Sequence, residues 1–392
     1  MEQKADMRIL LVSSSILPQT GGSSVIVESL AQNFTHDELT VLGSSTWKPD
    51  AVLGRKSDGP EFIYFFTELY IMGRGNRYFG WFRRLRLKKL YKVIETIIRE
   101  KKITHVIGVY PNIDYCLAAC RVADKLDVPF SSYFHNTYIE NTAINHAKAR
   151  EWQQEIFEKS VSVYVMSKGM QQFYAEKYKL NKFVPLVHTY NDEASAQGQT
   201  GLPGVGKTTY KLVAIGNFNE SNLEATRRLL QAIAKHPKYE LSVYTHVPKL
   251  LMEQRGLNPE HFHHKGAVSP QEIHEVIQQY DICILTHGFT GGYGEVEYKT
   301  IFPTRTIPLL LSGKPILAHS PEGSFLNDFI QEHRCAHLVD RAEEEAIIEG
   351  LEKISGDLDY QQRLAAQAAE TARMFYGPQV VADLKNHLKS SA

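Results

Sequence analysis

The chain has 392 residues, 43% of them hydrophobic and 22% charged, which is the balance of an ordinary soluble globular protein with room for two or three domains. Lysine plus arginine and aspartate plus glutamate each number 44, so no global charge draws the protein to nucleic acid. The apolar run near the start, Ile9 to Val12, is too short for a signal peptide or a membrane span.

Met7 to Val12 reads as a buried strand that runs into a glycine-bearing loop and then a helix, Ser24 to Phe34. That order opens a doubly wound unit. Leu39–Leu42, Phe62–Phe66 and residues 105–109 follow as strands, the last after a long helix. Pro111-Asn112 opens a helix through Asp124, and Phe130–Phe134 is the next strand. A helix from Lys148 to Lys159 leads to strand Val161–Met166, and Ser167 is placed to cap a helix from Lys168 to Tyr178. Strands alternating with helices argue for a parallel sheet. Cys116 and Cys120 stand one helical turn apart and suit packing, and with Cys283 and Cys335 they show no metal spacing. A reducing, cytoplasmic compartment is expected.

Residues 191–209 are polar and glycine-rich, as a linker is. Within them Gly201 to Thr208 matches the phosphate-loop pattern GxxxxGK[ST]. The pattern needs a strand before it and a helix after it. Here a polar linker precedes and a strand follows, so a flexible linker is the expected reading and a P-loop NTPase the rival one. A second alternation starts at Lys211: strand Lys211–Asn217, helix Leu223–Ala234, strand Leu241–Tyr244, a helix about Pro248 to Arg255, helix Pro270–Gln279 and strand Asp281–Leu285. His261, His263 and His264 lack a cysteine or acidic partner at ligand spacing, so no metal site is expected.

Thr300 to Phe325 is the stretch with the clearest chemistry. Thr304 or Thr306 can cap a short helix in which Pro308 is tolerated only in the first turn. Gly313 stands where a left-handed residue ends it. Pro315–Ala318 reads as a strand covered on both faces. Gly323-Ser324 opens a helix from Phe325 to Glu332. Two helix starts and Arg305 together predict a diphosphate site. The tail from Asp340 is helical, with a helix from Tyr360 to Tyr376 and a last segment placed to reach back to the first half.

Four landmarks then appear in order: LPQTGGS with Gly21-Gly22, VYVMSKGMQQFYAEKY, VAIGNFNESN, and FPTRTIPLLLSGKPILA. Together they resemble the GT-B glycosyltransferases, in particular the family 4-like group. The resemblance implies an α/β fold of two Rossmann-like, doubly wound parallel-sheet domains facing a central cleft. It divides the chain into an acceptor domain (1–190), the linker (191–209), a nucleotide-sugar donor domain (210–375) and a C-terminal segment (376–392). It also implies sugar transfer from a nucleotide sugar to a glycan, lipid-linked or other hydroxyl acceptor, with retention and without a metal or cofactor. A non-catalytic GT-B binding protein and a GT-B epimerase or phosphorylase are the other readings.

Carried onto this sequence, the resemblance makes His135 and Glu295 the catalytic candidates, with Glu297 as the alternative to Glu295. It assigns Gly216, Asn217, Thr286, His287, Gly291, Gly292, Thr304, Arg305, Gly323, Ser324 and Phe325 to the donor, and Gly21 and Gly22 to a loop near donor and acceptor. The sequence departs from the family where a pair of glutamates is usual: Thr300 and Pro308 stand there. Arg305 is then the expected source of charge for the diphosphate. The segment Arg74 to Lys102 holds eleven Lys/Arg against two Glu. Leu87, Leu90, Tyr91, Ile94 and Ile97 in it follow helical spacing for packing. Its basic and aromatic remainder, within Arg74 to Lys92, suits a peripheral contact with an anionic membrane at the inner face.

Overall fold

A computed structural model describes residues 7–19, 22–45, 55, 57–66, 80–141, 147–191, 201–269, 272–290 and 294–391. In chain order the elements are β1 (Ile9–Ser13), α1 (Gly22–Ala31), β2 (Leu39–Ser45), β3 (Glu61–Phe66), α2 (Gly80–Glu100), β4 (His105–Tyr110), α3 (Ile113–Lys125), β5 (Phe130–Phe134), α4 (Ala147–Lys159), β6 (Ser162–Val165), α5 (Lys168–Tyr178) and β7 (Phe183–Pro185). Then come β8 (Tyr210–Ile215), α6 (Leu223–Ala234), β9 (Tyr239–Tyr244), α7 (Lys249–Gln254), β10 (His263–His264), α8 (Ile273–Gln278), β11 (Ile282–Thr286), α9 (Glu295–Thr300), α10 (Thr306–Leu311), β12 (Ile316–His319), α11 (Phe325–His333), β13 (His337–Val339), α12 (Glu344–Gly356), α13 (Leu358–Ala372) and α14 (Gly377–Ser391).

The chain forms two compact units. One holds Met1–Ile139, Ile144–Asn191 and Tyr376–Ala392, and the other holds Glu140–Ala143 and Asp192–Phe375. The first carries a seven-stranded sheet of order β3-β2-β1-β4-β5-β6-β7 and the second a six-stranded sheet of order β10-β9-β8-β11-β12-β13. All the strand pairings are parallel. The central strands are mostly apolar and buried from end to end, as strands covered by helices on both faces must be.

Caps fix where several helices begin. Asn112 Oδ1 accepts from the N–H groups of Asp114 and Tyr115, Ser167 Oγ from that of Met170, and Asp357 Oδ1 from that of Tyr360. The first unit's core joins Ile9, Leu11, Val27, Leu30 and Val41 to Val381, Leu384 and Leu388 of α14. Lys385 of α14 adds an ion pair to Glu38 at 2.7 Å. On α2, Leu90, Ile94 and Ile97 are buried and Leu87 and Tyr91 partly so, while Arg74–Phe79 lie outside the described residues.

Several expectations need correction. Neither threonine caps α10: Arg305 is the N-cap, with no side-chain cap bond, and Thr306 Oγ1 is buried without a partner. Pro308 does lie in the first turn, and Gly313 does take a left-handed φ of 69°. The helix read as Tyr360–Tyr376 starts at Leu358 and gives way to a 3₁₀ turn at Arg373–Phe375. The strands β7, β10 and β13 and the helix α9 are additions to the sequence reading.

Candidate functional site

In the second sheet the strand order reverses between β8 and β11. The chain leaves β8 toward β9 and β10 on one side, and β11 toward β12 and β13 on the other. The connections therefore part at the carboxyl ends of these two strands, where open parallel sheets bind ligands.

Arg305 occupies that position. Its Nη2 donates to the carbonyl of Thr286, at the end of β11, at 2.7 Å. Its Nη1 donates to the carbonyl of Asn217, just beyond β8, at 3.5 Å. One guanidinium thus bridges the two diverging chains. These bonds use two of its five N–H donors, and no carboxylate pairs with it among the described residues. Burial pushes its pKa down to about 10, so it stays charged at neutral pH. Gly216 makes room for it. With φ at +108° the residue holds a conformation that favours glycine, and an added Cβ would lie 3.3 Å from Arg305 Cδ.

The two loops are laced together around this charge. The N–H of Gly288 donates to Ser221 O at 2.7 Å, Tyr298 Oη to Glu220 O at 2.7 Å, and the N–H of Phe289 to Glu224 Oε2 at 3.2 Å. The hydroxyls of Thr226 and Thr286 meet at 2.9 Å. Asn222 Nδ2 donates to Asn217 O, the same carbonyl that Arg305 reaches. Lacing of this kind holds donors in place before a ligand arrives, which is the condition for strong electrostatic binding.

His287 is buried beside this centre, with Nε2 against Tyr298 O at 2.7 Å. Its pKa falls to about 4: burial lowers it most, the bond to Tyr298 raises it, and the Arg305 charge lowers it further. The imidazole is therefore neutral and donates to that carbonyl. At the end of β12, Gly323 has φ +74° and Ser324 caps α11 by accepting from the N–H of Asn327 at 3.2 Å. Ser324 Oγ also meets Ser320 Oγ at 2.9 Å. Phe325 begins the helix and stacks edge-on against Phe302 at 5.9 Å. Thr304 is exposed in the turn before Arg305.

The structure thus brings together Gly216, Asn217, Thr286, His287 and Arg305. Glu295 is exposed at the start of α9 and paired with Lys299 at 2.6 Å, whose hydrogen bond and then charge lower its pKa. Glu297 is buried on the same helix. Gly21, Gly291 and Gly292 lie outside the described residues, and Gly22 is the exposed first residue of α1. In the first unit His135 follows β5 directly and its Nε2 lies 2.9 Å from Ser23 Oγ.

The phosphate-loop lookalike sits elsewhere. It lies just before the start of β8, no helix follows it, and Lys207 pairs with Asp281 at 2.6 Å. The isolated histidines also have local partners: His261 bonds to Asn258 and His264 Nε2 donates to Val247 O at 2.8 Å. Sequence reasoning missed the cluster around His319. That imidazole accepts from Arg228 at 2.8 Å, and the Phe289 ring packs against it at 4.8 Å. The interaction joins a helix, a strand end and a loop, and no local spacing announces it.

No protein-family model matches this sequence, and no curated protein does. Solved structures do match it. Sucrose-phosphate synthase from Thermosynechococcus elongatus aligns with a TM-score of 0.70 over 98% of this chain and 100% of its own, at 14% identity. HepE from Anabaena, solved with UDP and glucose, gives 0.70 over 98% and 100%, at 12% identity. The N-terminal domain of Candida albicans trehalose-6-phosphate phosphatase gives 0.73 over 100% and 99%, at 10% identity. The fold is GT-B. Within this GT-B chain the second unit, with its strand reversal and bridging arginine, carries the best-formed candidate site.

Proposed function

We propose that the protein is a glycosyltransferase whose second unit binds a nucleotide sugar. Arg305 carries this reading: a half-buried guanidinium with no carboxylate partner among the described residues, fixed across the strand reversal, is a receptor for an anion. The diphosphate of the donor supplies that anion, and the free N–H groups at the start of α11 add to its neutralisation. No metal or cofactor is then required for departure of the nucleotide. HepE, similar in fold, binds UDP and UDP-glucose, so a UDP-sugar is the first donor to test. The resemblance to the family 4-like group supports retention of configuration. Glu295 remains the catalytic candidate, and His135 belongs to the acceptor side. The acceptor is a glycan or a lipid-linked hydroxyl, reached from the cytoplasm, with Arg74 to Lys92 as the membrane-facing segment.

The deciding experiment is a thermal-shift panel of UDP-, GDP-, dTDP- and CMP-sugars, followed by assay of nucleotide release. Stabilisation by one nucleotide class with slow donor hydrolysis is expected. Absence of any nucleotide-dependent shift would refute the proposal. One observation favours a binding role without transfer: Thr300 and Pro308 replace the glutamates expected from the resemblance, and Glu295 is tied to Lys299 on the surface. Binding of a UDP-sugar with no turnover under any acceptor would select that reading.

A further inference from the structure

Two buried histidines of the first unit stand out. His135 is 2% exposed and its Nδ1 has no partner among the described residues. His188 is 5% exposed and neither of its ring nitrogens has one. Both positions are firmly built. His188 lies in the segment after β7, which Tyr133 Oη pins at Leu186 O (3.0 Å) and Ser29 Oγ pins at Thr189 O (2.7 Å). His135 packs edge-on against Tyr133, with ring centroids 5.4 Å apart. Burial first, and then His188, pushes the His135 pKa down to about 3, and burial alone pushes that of His188 to about 4. Among the described residues, Tyr133 on β5 and His188 are the titratable groups around His135, and α1 contributes Ser23.

An imidazole so hard to protonate is no general base near neutral pH, because a base works best with a pKa near the operating pH. Nor are its nitrogens open to solvent. Its outlet is Ser23 Oγ, which is partly exposed on the first turn of α1 and has no other hydrogen-bond partner among the described residues. Ser23, His135 and His188 all follow strands at the carboxyl edge of the first sheet, the edge that binds ligands in such folds.

We propose that Ser23 is the hydroxyl that meets the acceptor in the first unit, and that His135, backed by His188, is a positioning residue that holds the serine proton inward. Ser23 donates to His135 Nε2, so its lone pairs face outward and receive a hydroxyl of a neutral ligand. His135 then carries its proton on Nδ1, the ring nitrogen that has no partner among the described residues. The inference rests on the glycosyl-transfer reading for its ligand, but not for its internal chain of hydrogen bonds.

Two measurements test it. Nitrogen-15 spectra of the histidine rings should show His135 neutral, with the proton on Nδ1, from pH 8 to 5, and a mixed tautomer in His188→Phe. Titration of His135 near pH 6.5 in the unaltered protein, or an unchanged tautomer in a folded His188→Phe, would overturn the proposal. Kinetics with UDP-glucose and glycerol as probe acceptor should show a roughly tenfold rise in the glycerol KM for Ser23→Ala, an unchanged UDP-glucose KM, and rescue by Ser23→Thr. His188→Phe added to Ser23→Ala should change nothing more, and additive effects would break the chain. Failure to bind or turn over UDP-glucose counts against the proposed activity, and the ring spectra still decide this inference.

Discussion

Replacing Arg305 by methionine keeps an aliphatic stem beside Gly216 and removes the charge. In the free protein two effects oppose each other. The carbonyls of Thr286 and Asn217 lose a charged donor at 2.7 and 3.5 Å, and hydrogen bonds to charged groups are worth about 1.5–3 kcal/mol. Against that, a half-buried cation with no carboxylate partner among the described residues disappears. Folding stability should therefore fall by only about 1–2 kcal/mol. The ligand has no such compensation. A preorganised donor aimed at developing charge is worth about 2.7–4 kcal/mol, or about 10²–10³ in kcat. Arg305→Met should lower kcat/KM for UDP-sugar hydrolysis by at least tenfold, and by a hundredfold if the guanidinium meets the leaving diphosphate directly. The assay is UDP release, with UDP-induced thermal shift as the measure of affinity. A folded variant with turnover and UDP affinity within about threefold of the parent would refute the reasoning, since tenfold is only about 1.4 kcal/mol.

Gly216→Ala should raise the donor KM several-fold and cost about 1–2 kcal/mol of stability, because the new Cβ both opposes φ +108° and presses on Arg305 at 3.3 Å; differential scanning calorimetry and the hydrolysis assay check the two parts. Lys207→Ala should leave turnover unchanged and shift stability by no more than about 1 kcal/mol, since its ion pair with Asp281 is partly exposed; loss of activity would restore the phosphate-loop reading. Acid should unfold the protein early. His105, His188, His287 and His319 have pKa values near 4 and His135 near 3, all depressed chiefly by burial. Below an unfolded-state pKa of about 6.5 the unfolded chain binds more protons, so stability falls as the pH drops from there toward 4, by about 1 kcal/mol per histidine per pH unit. Urea midpoints that stay flat between pH 7.5 and 5 would contradict this.

Much of the architecture could be read from the chain because the interior strands are mostly apolar and fully buried, and such runs admit few other structures. Phe130–Phe134 and the helices Lys168–Tyr178 and Leu223–Ala234 have the bounds that their caps and apolar runs predict. The edge strands did not announce themselves. His263–His264 and His337–Val339 are two and three residues long, too short for any period to register. Glycines around residue 291 masked the helix Glu295–Thr300, whose buried Tyr298 ties the site loops together. Arg305 was visible as a charge beside a helix start, but its partners were not, because backbone carbonyls leave no mark on side-chain chemistry. The lookalike at Gly201–Thr208 shows the converse: every residue type is right, and the absent helix removes the function. His188 was invisible for a third reason, since a lone histidine between a valine and a threonine has no pattern until the fold buries it beside His135.

The placement of α14 has a consequence for biogenesis. The first unit takes Val381, Leu384 and Leu388 into the core built on Ile9 and Leu11, and the N–H of Gly377 donates to Tyr190 O at 2.8 Å. Chains emerging from a ribosome usually fold their leading domain first. Here the leading unit lacks part of its interior until Leu388 has cleared the exit tunnel, while the second unit needs little beyond the continuous run Asp192–Phe375. The unit bearing Arg305 can therefore mature while the one bearing Ser23 waits, its apolar groove against α1 open to chaperones. A chain cut off just after Phe375 would have a finished second unit and an unsealed first.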